Sequence, residues 1–130
     1  MAKPRILVID DDRAILETIS DILDAKGYEV QIAESGERGI TLAEKEYYDV
    51  VIVDIVMPEM NGVEACHHIR NISPSSSVIM MTGYSPANPL VRSAIDGGVK
   101  RLLHKPFQAS TLLDAIESAV ECNLCVYQVY

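Results

Sequence analysis

Apolar runs and helix-spaced apolar positions alternate five times along this chain. Ile6–Ile9 has the length and continuity of a strand, and Ile15, Leu16, Ile19, Ile22 and Leu23 then recur on one helical face. Asp12 suits the N-cap of that helix and Gly27 its stop. Glu29–Ala33 alternates polar and apolar as a second strand does, and Ser35 is placed to cap a helix carrying Ile40, Leu42 and Ala43. Val50–Val53 is a third, wholly apolar strand. The turn-forming run Pro58-Glu59-Met60-Asn61-Gly62 leads to a helix through Val63, Cys66 and Ile69. Val78–Met81 is a fourth buried strand, and the loop Ser85–Pro89 opens a helix with Leu90, Val91, Ala94 and Ile95, closed by Gly97-Gly98. Leu102–His104 is a short fifth strand, followed by a last helix with Leu112, Leu113, Ile116, Ala119 and Val120 on one face.

Such alternation predicts an α/β fold, a doubly wound (βα)₅ domain with a parallel five-stranded sheet and helices on both faces. Strands one, three and four are apolar throughout, as expected where both faces are covered. Strand two alternates and strand five is very short, which suits edges and points to the order 2-1-3-4-5. The pattern places one domain over residues 1–121 and leaves residues 122–130 as an apolar tail. No internal repeat or low-complexity tract interrupts it.

Composition narrows the reading. A length of 130 residues with 48% hydrophobic content fits one globular domain with a real core. The net charge of −8 argues against direct nucleic-acid binding, which needs a basic face. No run approaches the ~18 apolar residues of a membrane span, and the start lacks the regions of a signal peptide, so the expected location is the cytoplasm. Cys122 and Cys125 form a lone C-x-x-C without a second pair for zinc, and near the chain end it reads as incidental.

Candidate chemistry gathers at the carboxyl ends of the strands, where open α/β sheets bind ligands. Strand one runs into Asp10-Asp11, strand three ends at Asp54, strand four at Thr82 and strand five at Lys105. Three carboxylates in one pocket repel; at ~4 Å and an effective dielectric near 20 each pair costs about 4 kcal/mol. A proton or a cation must relieve that, and an oxygen-only set suits Mg²⁺. A phosphoryl group in transfer needs partners for its oxygens. The metal, the Lys105 ammonium and the Thr82 hydroxyl can supply them, with Asp54 as in-line nucleophile. Each residue taken singly is ordinary; Asp12 reads only as a helix cap.

The segments ILVIDDD around Asp10 and Asp11, VVIVDIVMPEMNG around Asp54, IMMTG around Thr82 and HKPF around Lys105 closely resemble the receiver domain of two-component response regulators, over roughly residues 4–121. The resemblance implies a signalling domain, not a turnover enzyme. In it Asp54 accepts a phosphoryl group from a sensor histidine kinase or phosphotransfer protein, with Mg²⁺ on Asp10, Asp11, Asp54 and the backbone carbonyl of Val56. It also implies a cis bond at Lys105–Pro106 and a switch in which Thr82 moves toward the phosphoryl group. An aromatic residue usually follows that movement, but its place here holds Leu102. The implied exit for the signal is the face of the fourth helix, fifth strand and fifth helix, through which a homodimer can form.

Further expectations follow from single residues. Val56 and Tyr84, two residues beyond Asp54 and Thr82, are bulky neighbours that would shield a phosphoryl group from water. His104 should point away from the site by strand alternation. His67 and His68 should face different ways on a helix and make a poor metal pair. For the tail Leu124–Tyr130 three readings stay open: packing on the domain, a dimer contact, or part of a longer protein. Two rivals to the signalling reading are a magnesium phosphatase with an aspartyl nucleophile, which would want an acid where Val56 stands, and an interaction module that keeps only the fold.

Overall fold

The computed structural model of the protein describes residues 3–121 and 128–130. Along the chain run β1 (Arg5–Ile9), α1 (Arg13–Ala25), β2 (Glu29–Ala33), α2 (Gly36–Lys45), β3 (Val50–Asp54), α3 (Gly62–Ile72), β4 (Ser77–Thr82), α4 (Pro89–Asp96), β5 (Arg101–His104), α5 (Ala109–Glu121) and β6 (Gln128–Val129). The sheet is parallel and its order is β2-β1-β3-β4-β5-β6. The five predicted strands and helices are present in the expected order, 2-1-3-4-5. The tail changes one expectation: β5 is not the outer strand, because Gln128–Val129 pairs along it.

The continuous apolar runs serve two faces at once. In β1, Leu7 and Ile9 pack into the core under α2, α3 and α4, while Ile6 and Val8 pack into the core under α1 and α5. Strand side chains alternate faces, so a strand covered on both sides has no position left for a polar residue until it emerges at its end. Helix ends are set by local chemistry. Asp12 caps α1 by accepting from the Ala14 and Ile15 N–H groups, and Ser35 caps α2 through the Arg38 N–H. Asn61 and Glu64 form a reciprocal capping box on α3. Gly27, at φ +87°, takes the left-handed turn that leads from α1 to β2.

Among the described residues no helix is long and apolar enough to cross a membrane. Cys122 and Cys125 lie outside the described residues. Cys66 is buried in the core, where burial pushes its thiol up.

Candidate functional site

The carboxyl edge of the sheet is built by chain exits that the strands fix. β1 delivers Asp10, whose N–H donates to the Ala33 carbonyl at 3.1 Å. One carboxylate oxygen of Asp10 accepts from the Asp12 N–H at 3.0 Å, and the other accepts from Lys105 Nζ at 2.7 Å. Asp10 is wholly buried, whereas Asp11 is exposed. Asp54 and Thr82 prove to be the last residues of β3 and β4 themselves, and both are buried.

Oxygens of Asp10, Asp11 and Asp54 lie within 4.8 Å of one another, the one group among the described residues with metal-ligand spacing. Lys105 Nζ lies 3.4 Å from Asp54 Oδ2, so a single ammonium spans two of the three carboxylates. Lys105 leaves β5 with its N–H donating to the Thr82 carbonyl at 2.8 Å, and the Lys105–Pro106 bond is cis. The Thr82 hydroxyl accepts from the Tyr84 N–H at 3.0 Å and keeps its own proton to donate.

Burial is the largest cause that pushes Asp54 up to about 7; the Asp10 charge adds to it and Lys105 only partly offsets it. Lys105 moves the other way from a buried lysine. Burial would lower it, but the Asp10 hydrogen bond and the Asp54 and Asp10 charges outweigh burial and raise it. Burial thus weighs most on Asp54, whereas on Lys105 it is outweighed by the carboxylates beside it.

Other predicted residues fall as follows. Val56 is half-buried and Tyr84 is 53% exposed. Leu102 is buried in the core under α3 and α4. His104 is half-buried on the Leu102 side of β5. His67 and His68 are both exposed on α3, and their rings meet edge to face with centres 6.3 Å apart. Sequence reasoning missed Gly62 as part of the site. A Cβ there would stand 2.7 Å from the Ile55 Cα and closer still to the Asp54 carbonyl. The signal was available only as a glycine after a turn. Beside the site, Ala14, Ile15, Thr18, Pro106, Phe107 and Lys105 line a groove of about 390 Å³.

Residues 6–117 match the response regulator receiver domain model. The chain is 33% identical over 109 residues to the response regulator MprA of Mycolicibacterium vanbaalenii, covering 84% of this chain and 47% of that protein. It is 34% identical over 110 residues to a response regulator receiver protein of Anaeromyxobacter, covering 85% and 46%. The chain thus spans about half the length of the curated relatives it matches. Among solved structures, a CheY-like receiver domain protein of Methanospirillum hungatei superposes with a TM-score of 0.85 at 32% identity, over 92% of this chain and 95% of that one. The chemotaxis protein CheY4 of Vibrio cholerae gives 0.82 at 30%, over 91% and 99%.

Proposed function

This chain belongs to the response regulator receiver domain family of two-component signalling, and on that premise we propose that Asp54 is its phospho-acceptor in a Mg²⁺-dependent transfer from a histidine kinase or phosphotransfer protein. The observation that carries the reading is the Lys105 ammonium spanning Asp10 and Asp54, at 2.7 and 3.4 Å, within a cluster of three carboxylates.

The donor set fits magnesium. Asp10, Asp11 and Asp54 offer only oxygen, with no His or Cys, and one of the three is open to water for the hydration that Mg²⁺ keeps. With the Val56 carbonyl they would hold the ion, which supplies a counter-charge to phosphoryl oxygens. The chain's own groups do the rest. An Asp54 carboxylate oxygen attacks phosphorus in line; the bond from phosphorus to the donor imidazole nitrogen breaks, and that nitrogen keeps the electron pair. The Lys105 ammonium transfers its pairing to one phosphoryl oxygen and the Thr82 hydroxyl donates to another. A donor protein seated in the apolar groove along α1 and Phe107 would bring its phosphohistidine beside Lys105.

The product is an acyl phosphate that biases an existing conformational equilibrium. Thr82 moves with it, and Leu102, already packed in the core, replaces the usual aromatic follower. The signal leaves through α4, β5 and α5, to a partner or a second copy. The direct test is labelling with acetyl phosphate and Mg²⁺, read by intact mass on wild type and Asp54→Asn. One phosphate on wild type and none on the variant supports the reading. Absence of label on wild type would favour an interaction module, and steady hydrolysis of a small phosphoester would favour a phosphatase.

A further inference from the structure

β5 is held on both of its edges. Inward it pairs with β4, Leu102 with Met80 and His104 with Thr82. Outward, the Tyr130 N–H donates to the Leu102 carbonyl at 2.8 Å, and the His104 N–H donates to the Tyr130 carbonyl at 3.0 Å. Tyr130 thus stands opposite Leu103 and bonds the residues on either side of it, the second being His104, which pairs with Thr82 one residue before Lys105.

The outer hold is light. β6 pairs over two residues, Gln128 and Val129, whereas β2 at the opposite edge pairs over five. Val129 is 51% exposed, and the Tyr130 ring is only partly buried against the core under α1 and α5. A short, half-exposed edge strand belongs to the part of a fold that opens first.

We propose that Gln128–Tyr130 is a displaceable cover on the outer edge of β5, and that phosphorylation of Asp54 releases it. The proposal rests on the phospho-acceptor reading above. A phosphoryl group on Asp54 draws Lys105 from Asp10 and engages the Thr82 hydroxyl, loading both residues that clasp the end of β5. His104 pairs with Thr82 and immediately precedes Lys105, and its N–H is the last group of β5 that β6 holds. Release bares the Leu102 carbonyl and the His104 N–H, an unpaired strand edge able to template another strand. Because linkage is reciprocal, a cover that phosphorylation loosens must itself oppose phosphorylation.

The test follows amide exchange at His104 by NMR in the full chain with Mg²⁺, before and after acetyl phosphate, with Asp54 labelling measured by mass in the same samples. The expected result is exchange at His104 faster by about fivefold or more on labelling, while the Ile52 amide in the central strand stays unchanged. In Tyr130→Pro, which removes the donor to Leu102, His104 exchanges fast in both states and the labelled fraction at equal acetyl phosphate rises. Labelled Asp54 with unchanged His104 protection overturns the cover, as does an unchanged labelled fraction in Tyr130→Pro. If Asp54 takes no label, the phospho-acceptor reading fails and the cover falls with it.

Discussion

Gly62 rests against the backbone at the end of β3, so that a side chain there would meet the Asp54 carbonyl and the Ile55 Cα. The contact is tied by the Gly62 N–H donating to the Ile55 carbonyl at 2.8 Å. The first residue of α3 thereby fixes where β3 ends. Gly62→Ala must push that backbone away, and overpacking of this kind costs about 1–3 kcal/mol. Urea unfolding should show the loss, and labelling of Asp54 should slow. A variant as stable as wild type with normal labelling would mean that α3 yields freely.

Charge in the pocket makes stability depend on pH. In the metal-free protein Asp54 is raised to about 7 from 3.8, so between those values the folded state holds a proton that the unfolded chain releases. Stability therefore falls as pH rises through that window and levels off above it. Asp54→Asn removes the buried charge and should stabilise the metal-free protein by about 1–4 kcal/mol at roughly pH 8. The gain should vanish near the ordinary carboxylate range, and Mg²⁺ should narrow it by stabilising wild type alone. Thermal unfolding with and without chelator checks all three; equal stabilities at high pH would show that the ionised carboxylate is accommodated without cost.

Thr82 turns its hydroxyl oxygen to the Tyr84 N–H at 3.0 Å, which leaves its own proton available to donate. Removing one such donor costs about 10²–10³ in rate at comparable sites. Thr82→Ala should slow labelling by acetyl phosphate toward that range, and Thr82→Ser should retain most of it. Equal rates for both variants would place the hydroxyl outside the reaction.

Loss of phosphate should be slow, because Val56 and Tyr84 stand two residues beyond Asp54 and Thr82 and bring bulk without an acid or amide to orient water. The lifetime of the acyl phosphate after removal of donor measures this. Val56→Asn combined with Tyr84→Ala should shorten it; an unchanged lifetime counts against shielding by these two side chains.

The alternation of strands and helices, their order, and the four strand ends that carry Asp10, Asp54, Thr82 and Lys105 were all legible in the sequence. The reason is local: a strand covered on both faces is apolar until it emerges, so the first polar residue marks both its end and the ligand edge. Caps such as Asp12 and Ser35 are equally local, each a side chain that bonds an N–H two or three residues on. What only the tertiary structure decided depends on residues far apart in the chain. Lys105 chooses Asp10 over Asp54 as its closer partner across 95 positions. Gly62 matters through the atoms of Asp54 and Ile55, Leu102 faces the core under α3 and α4, and Gln128–Tyr130 adds a sixth strand beside β5. Periodicity states which residues are buried; only packing and register determine what each meets there.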